Sequence, residues 1–539
     1  MLPVYHWCSI RHAVSHNSVS IALIESCPFL RPLTSRKPYT NRSATARSNS
    51  VDADPVRITD NVHMSNQLTR RELAAALASA IPAKAAEARP NIVFMLSDDH
   101  SVPFLGVYGH PVLRTPNMDR LANEGMRFNK AFTAAPQCVP SRAAMMTGRS
   151  PAAARIARFN SPLPPDVPVL PELLRKAGYF TGICRRNFHL DGPGPGRSSG
   201  VLGRTLTERG MYTFDKRVDY LDRNSPRSAT KDRVNEFLDK KPTSKPFFLW
   251  ISFNDPHHVW DKDAIPTPYD PGKMTVPPFL PDLPGVKDDL SRYCNEVTRL
   301  DEEVQWVLDI LKERGFADNT IVVFMGDNGM AFPHGKGSLY DPGLNVPLLV
   351  RWPGKVKPGT VTDELVSGED ITPTLLDVAG LKPLKEMTGR SFQPLLRGER
   401  YEGRRYIFAQ RQQHGGSTFD EKTRANGFDL SRCARSSKFK YIYNCTPYQE
   451  YWPVDSGNDP GWKDILAAHR AGTLPARFDK AYFTRPRPIF ELYDLEADPT
   501  EMNNLAGKPE YAAVEKEFRE ALAEKMIIDY DFLPLPPDV

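Results

Sequence analysis

The chain has 539 residues, a length that suits two to four domains of roughly 150 residues each. Hydrophobic residues make up 40% and charged residues 25% of it, as in an ordinary globular enzyme. The formal net charge of +5 is small for this length, which argues against a nucleic-acid-binding protein. The seven cysteines form no CxxC pair, which argues against a zinc site.

The first 88 residues lack a globular pattern. Residues 1–63 are rich in Ser, Arg and Pro, and we predict that they are disordered or precede the true start, with Met64 as the better initiator. Residues 64–88 contain a double arginine, an Ala-rich stretch and small residues, which are typical of a twin-arginine export signal. A short amphipathic helix is the alternative. The export interpretation predicts a periplasmic or secreted protein.

Three short apolar runs predict strands that are buried on both faces of a parallel sheet. They cover residues 91–96, 246–253 and 320–325, and each is followed at once by polar residues. The first run leads to Asp98, Asp99 and His100, the second to Asp255 and His257, and the third to Asp327 and Asn328. Open α/β sheets place their sites at the carboxyl ends of such strands. No run is apolar for long enough to span a bilayer.

Helical patterns alternate with these strands, which predicts a layered α/β fold. Proline starts, glycine stops and apolar periodicity predict helices over residues 116–125, 171–178, 290–315 and 372–380. After residue 400 the pattern changes to an antiparallel sheet and one helix, with strands over residues 406–409, 438–443 and 490–494 and a helix over 514–526. We therefore predict a catalytic domain over residues 89–400 and a C-terminal α+β subdomain over 401–539. Residues 446–489 are predicted to be irregular.

Cys138 begins a predicted helix, where backbone N–H groups and the helix dipole favour negative charge. This position alone suggests a thiolate nucleophile of low pKa, although a lone cysteine is more often a buried structural residue. Three carboxylates, Asp98, Asp99 and Asp327, would repel one another if they met without a cation. A hard divalent ion with oxygen ligands resolves this repulsion, and calcium suits the ligands better than magnesium.

The string Cys138-x-Pro-Ser-Arg142, followed by Thr-Gly-Arg, resembles the signature of the type I, formylglycine-dependent sulfatases. The segments 332–343 and 438–442 most resemble the heparan N-sulfatase branch (N-sulfoglucosamine sulfohydrolase-like). The resemblance implies an alkaline-phosphatase-like α/β fold with a mixed central sheet. It also implies that a formylglycine-generating enzyme oxidises Cys138 to formylglycine. One calcium ion would then be held by residue 138 and four further residues: Asp98, Asp99, Asp327 and Asn328.

The same resemblance implies roles for the basic residues. Arg142 would hold the formylglycine, Lys336 would bind the sulfate, and His257 would protonate the departing atom. His189 would orient a formylglycine hydroxyl. Arg186 stands where the family usually has a lysine shortly before this histidine, so it keeps the charge and changes the geometry. Two further departures are Asp341 and Asn345, where the family has Glu and Arg.

The expected activity is hydrolysis of a sulfate ester or sulfamate on a sulfated glycan. Aromatic and basic residues between Tyr448 and Tyr482, among them Trp452, are candidates for sugar binding, and packing between domains is an almost equally good interpretation. One rival function is a phosphatase or phosphodiesterase of the same fold. The other is a non-catalytic glycan-binding protein whose Cys138 is never oxidised. The string from Gly196 to Gly200 fits a nucleophile elbow, but no predicted strand precedes it.

Cys433 and Cys445 could form a disulfide in an oxidising compartment, and the sequence leaves this alternative open.

Overall fold

The computed structural model describes residues 89–156, 159, 161–190, 200–413 and 429–537. The strands are β1 Asn91–Ser97, β2 Met126–Phe128, β3 Ala131–Phe132, β4 Phe180–Arg185, β5 Tyr220–Leu221, β6 Phe247–Ser252, β7 Thr320–Gly326, β8 Leu348–Arg351, β9 Thr360–Thr362, β10 Val366–Ser367, β11 Ile407–Arg411, β12 Ser431–Arg435, β13 Phe439–Asn444 and β14 Phe490–Asp494. The helices are α1 Pro116–Asn123, α2 Cys138–Thr147, α3 Leu170–Lys176, α4 Gly200–Glu208, α5 Phe214–Arg217, α6 Thr230–Lys240, α7 Pro284–Glu313, α8 Asp341–Leu344, α9 Ile371–Val378, α10 Gln393–Leu396, α11 Pro460–Arg470, α12 Ala476–Phe483 and α13 Ala512–Ile528.

The predictions for residues 1–63 and 64–88, and for residues 196–199 of the elbow-like string, lie outside the described residues.

The larger sheet has the strand order β5-β4-β6-β1-β7-β8-β2-β9. Neighbours from β5 to β7 are parallel, whereas β8 is antiparallel to both β7 and β2. The sheet is therefore mixed, with β1 at its centre. The register pairs Ser97 at the end of β1 with Gly326 at the end of β7, so the residues after both strands emerge side by side.

Both faces of β1 are buried, in separate apolar cores. Val93 and Met95 lie in one core with the apolar face of α7, and Ile92, Phe94 and Leu96 lie in the other with α2, α3 and α9. This alternation explains why the strand reads as a continuous apolar run. It also fixes the position of the polar residues that follow the strand.

The second sheet is antiparallel, with strand order β11-β12-β13-β14. One face packs on α13, and Tyr441 lies in one apolar core with Phe518 and Leu522 of that helix. The other face brings Ile442 into a core with Leu339, which lies in the segment after β7. The sheet uses only strands that follow residue 400, while the division into domains stays a prediction.

The structure corrects several predicted bounds. The long helix α7 begins at Pro284 instead of residue 290, and β12 was missed. The prediction that residues 446–489 are irregular is wrong, because α11 and α12 lie there. Trp462 and Tyr482 on these helices are 2% and 3% exposed, and the Tyr482 hydroxyl donates to the Phe279 carbonyl at 2.7 Å. These two aromatic residues pack the core.

Among the described residues, no helix combines the length and apolar character needed to cross a membrane. Cys433 and Cys445 both carry free thiols, so the alternative of a disulfide between them does not apply to this structure. Cys433 faces Ile442 across the β12–β13 ladder.

Candidate active site

The residues after β1 and β7 form a buried group of carboxylates. One oxygen from each of Asp98, Asp99 and Asp327 lies within 4.8 Å of the others, and all three side chains are fully buried. The backbone of Asp99 is left-handed, with φ of 64°, and its N–H donates to Asp327 Oδ1 at 3.0 Å. The predicted meeting of the two strand ends is therefore present in the structure.

Cys138 is the first residue of α2 and points into this group. Its Sγ lies 3.4 Å from Asp98 Oδ1 and 3.9 Å from Asp99 Oδ1. Burial and the charge of Asp98 raise the pKa of the thiol well above its usual range. The suggestion of a thiolate of low pKa, made from the helix position alone, is therefore wrong, because burial and the neighbouring carboxylates disfavour the charged form of the thiol.

The oxygen atoms around the group fit a hard cation. The Asn328 side chain donates to Asp99 Oδ1 at 2.8 Å, while its Oδ1 is buried without a hydrogen-bond partner among the described residues. Burial and the Asp98 carboxylate raise the pKa of Asp327 to about 7, against the opposing charge of Arg142. Several carboxylates and an orphaned amide oxygen are a donor set that suits calcium.

Two arginines contact the same carboxylates. Arg142 Nη2 lies 2.7 Å from Asp98 Oδ2 and 2.9 Å from Asp327 Oδ2, and its Nε donates to the latter oxygen at 2.9 Å. Arg186 Nε lies 2.8 Å from Asp98 Oδ2. Burial alone would raise the pKa of Asp98, but Arg142 and Arg186 hold it well below its usual range. Arg185 points elsewhere and pairs with Glu303 at 2.9 Å.

Lys336 and two histidines complete the group. Lys336 Nζ lies 2.8 Å from Asp99 Oδ1 and 2.7 Å from Asp455 Oδ2. His257 Nε2 lies 4.0 Å from Asp99 Oδ2, and the ring centroids of His257 and His189 are 6.5 Å apart. Burial lowers the pKa of both histidines.

The loop that carries Lys336 is fixed by the C-terminal part of the chain. His334 has φ of 67°, stacks on Tyr340 with centroids 3.8 Å apart, and lies 2.9 Å through Nε2 from the Thr500 carbonyl. Its backbone N–H donates to the Tyr451 hydroxyl at 2.7 Å. Asp341, the first residue of α8, follows this loop and pairs with two cations of the second sheet, Arg435 at 2.8 Å and Lys440 at 2.6 Å.

The predicted site residues therefore lie together: Asp98, Asp99, Cys138, Arg142, Arg186, His189, His257, Asp327, Asn328 and Lys336. Their roles stay predictions. Asp455 was missed, because it lies 119 positions from its partner Lys336 in a segment without a recognisable motif. The aromatic residues around it were noticed, whereas this carboxylate was not.

Two family models match the chain. The one described as "Sulfatase" covers residues 90–381, and the one described as "N-sulphoglucosamine sulphohydrolase, C-terminal" covers residues 332–461. The second match includes both Lys336 and Asp455.

Named relatives and a solved structure extend this likeness. The chain is 30% identical over 487 residues to an ulvan-active sulfatase from Formosa agariphila, covering 80% of this chain and 74% of that protein. It is also 30% identical over 503 residues to human N-sulphoglucosamine sulphohydrolase, covering 84% of this chain and 93% of that protein. A structure described as a complex with its substrate D-glucosamine-2-N,6-O-disulfate superposes with a TM-score of 0.61 at 21% identity, covering 84% of this chain and all of that one. The predicted alkaline-phosphatase-like fold with a mixed central sheet is confirmed.

Proposed function

We propose that this chain, which belongs to the sulfatase family, removes sulfate from glucosamine units of sulfated glycans, with the N-sulfate as the first choice. The observation that carries the proposal is the packing of Cys138 Sγ against Asp98 and Asp99 at the point where Lys336 and Arg142 also converge. A sulfate monoester needs such a site, because its shielded sulfur reacts only when the negative oxygens are neutralised and the nucleophile is aligned.

The proposal includes a formylglycine made from Cys138 by a formylglycine-generating enzyme, and one calcium ion. Residue 138 and the oxygen atoms of Asp98, Asp99, Asp327 and Asn328 would hold the ion. When bound, these groups supply a hydroxyl nucleophile and positive charge beside the sulfate oxygens.

The other side chains act around these groups. Lys336 and Arg186 donate to sulfate oxygens, and Arg142 keeps the carboxylates of Asp98 and Asp327 in place. His257 delivers a proton to the departing oxygen or nitrogen from its ring nitrogen. His189, which lies beside His257, orients the hydroxyl at residue 138.

The preference for glucosamine is supported by the C-terminal family match and by the human relative. The ulvan-active relative has the same identity, which makes a sulfated ulvan oligosaccharide the second candidate substrate. We favour glucosamine because the C-terminal match covers the loop of Lys336 and the segment of Asp455, both of which border the site.

The experiment is an assay of sulfate release from defined heparin disaccharides, ulvan oligosaccharides, an aryl sulfate and a phosphate monoester. Peptide mass spectrometry on residue 138 accompanies it. We expect a formylglycine at position 138 and the fastest turnover on an N-sulfated glucosamine. A faster reaction with the phosphate monoester would favour the phosphatase rival. An unmodified thiol with no turnover of any compound would favour the glycan-binding rival.

Export to the periplasm or the medium is part of the proposal, and its support is the twin-arginine pattern in residues 64–88. Cell fractionation of the protein with Arg70 and Arg71 both replaced by Lys tests it. We expect the replaced protein to stay in the cytoplasm while the natural one is exported.

A further inference from the structure

A short segment between β13 and α11 borders the candidate active site. Val454 is buried, and Asp455, which follows it, has φ of 69° and a side chain that is 30% exposed. Lys336, its partner, is 1% exposed. Asp455 is therefore the more accessible member of this pair.

The contacts of Asp455 place it between Lys336 and His257. Its Oδ2 lies 2.7 Å from Lys336 Nζ, which also lies 2.8 Å from Asp99 Oδ1. The same Nζ also lies 2.9 Å from Asp99 Oδ2, so the two carboxylates together fix the direction of its three N–H donors. An oxygen of Asp455 also lies within 4.8 Å of ligand atoms of Asp99 and His257.

The segment is joined to the loop that carries Lys336. A Cβ on Gly337 would lie 2.3 Å from Val454 Cγ2, so the Val454 side chain can pack this closely on the loop only because residue 337 is glycine. Gly337 N–H donates to the Pro136 carbonyl at 2.8 Å, two residues before Cys138. These contacts therefore fix the segment of Asp455 relative to Lys336 and Cys138.

We propose that Asp455 is a positioning and specificity-determining residue, which directs Lys336 and accepts a hydrogen bond from the sugar that carries the sulfate. This inference rests on the proposed function. Asp455 lies beside both Lys336 and His257, and its carboxylate repels the sulfate anion, so the group that meets Asp455 would belong to the sugar. A carboxylate there favours a hydroxyl or amino donor next to the sulfated atom.

The test is a thermodynamic cycle that combines a substitution at residue 455 with the removal of a hydroxyl from the substrate. Asp455→Asn removes the charge, keeps the size and tolerates the left-handed backbone. Each enzyme is assayed with the glucosamine sulfate that the wild type cleaves fastest, and with analogues in which a hydroxyl near the sulfated group is replaced by hydrogen. For wild type we expect one analogue to lose about 10- to 100-fold in kcat/KM, as for a hydrogen bond to a charged group.

In Asp455→Asn we expect that loss to shrink to about threefold or less, with KM for the natural sugar raised more than kcat is lowered. Asp455→Glu, which keeps the carboxylate, should restore part of the discrimination. Asp479→Asn on α12 is the matched control, because Asp479 pairs with His469 at the surface, and it should behave as wild type.

Each other outcome is decisive. If Asp455→Asn loses the same factor with the natural sugar and with every analogue, Asp455 only supports Lys336 and the specificity role is overturned. If its kinetics match wild type, both roles are overturned. If the wild type cleaves no sulfate at all, the proposed function falls and this inference falls with it.

Discussion

At the scale of single residues, the site is a balance of buried charges. Asp98, Asp99 and Asp327 face Arg142, Arg186 and Lys336 with little access to water. Replacing one of these charged side chains leaves its buried partner without an opposite charge, which lowers the free energy of unfolding. Burial and the charge of Asp98 raise the pKa of the Cys138 thiol well above its usual range, which agrees with the proposal that residue 138 acts as a formylglycine.

Replacing Cys138 by Ala should abolish sulfate release without unfolding the protein. The side chain is fully buried at the start of α2, and Ala fits there with no added volume. Turnover and melting temperature are measured together, with Cys433→Ala as the control, because Cys433 is equally buried and lies in the second sheet. Retention of about a tenth of the wild-type rate, a barrier change of only about 1.4 kcal/mol, would contradict the assignment.

Replacing Arg186 by Ala should lower turnover more than stability, whereas Arg186→Lys should keep part of the activity. Arginine can donate two parallel hydrogen bonds to sulfate, and lysine offers a point charge. Arg185→Ala is the contrasting variant, because that side chain pairs with the buried Glu303 and should mainly lower the melting temperature. Equal activity of Arg186→Ala and wild type would place Arg186 outside the reaction.

At the scale of elements, the antiparallel sheet positions the loop that carries Lys336. Asp341, which begins α8 directly after this loop, pairs with Arg435 and Lys440, and Lys440 also lies 2.7 Å from Glu501. Asp341, which stands where the family has Glu, thus has Arg435 and Lys440 as partners in the second sheet. The sequence alone did not reveal these ion pairs. A substitution in the sheet that removes one of these ion pairs should therefore also disturb the position of Lys336.

Lys440→Met should destabilise the protein by about 3–5 kcal/mol, because it removes the buried cation beside Glu501 and leaves Asp341 with Arg435 alone. In the remaining folded enzyme KM should rise, since Lys336 lies on the loop that leads directly to Asp341. Lys438→Met is the matched control, because it removes only an exposed pair with Glu496, which contributes little to stability. Urea unfolding and steady-state kinetics check both variants, and equal stabilities would contradict the coupling.

His334 in the same loop should make folding sensitive to acid. Burial lowers its pKa to about 3, with the nearby Lys440 charge acting in the same direction and the Thr500 carbonyl opposing it. The unfolded chain takes up the proton near pH 6.5, so stability is present above that pH and is lost as the pH falls. At pH 5 this histidine alone accounts for about 2 kcal/mol.

The variant His334→Asn, whose side chain tolerates a positive φ, removes this dependence. We expect the difference in unfolding free energy between pH 7 and pH 5 to be smaller than in wild type by about 2 kcal/mol. His469→Asn, on the surface of α11, is the control and should keep the full difference. An unchanged difference in His334→Asn would show that other groups determine the acid response.

At the scale of the whole molecule, the sequence predicted what local patterns encode. Continuous apolar runs identified β1, β6 and β7, and because parallel strands end at one edge, the grouping of Asp98 with Asp327 followed. The helices α11 and α12 were missed, because they are only 11 and 8 residues long and lie in a segment rich in proline and aromatic residues. Asp455 could not be found, since its contact with Lys336 joins two loops through tertiary packing alone.

A cation bound at the carboxylates that follow β1 and β7 should stabilise the fold as well as support turnover. Its removal should therefore change both the melting temperature and the activity. Asp98, Asp99 and Asp327 are fully buried, and the orphaned Asn328 oxygen lies in the same group. An ion that binds only the folded state adds about 2.7 kcal/mol at a hundredfold excess over Kd. We expect chelation to lower the melting temperature and abolish turnover, and calcium to restore both better than magnesium. Asp327→Asn should melt at the same temperature with and without calcium. A wild-type melting temperature and activity that ignore both chelator and calcium, or metal analysis that finds zinc, would contradict a calcium site.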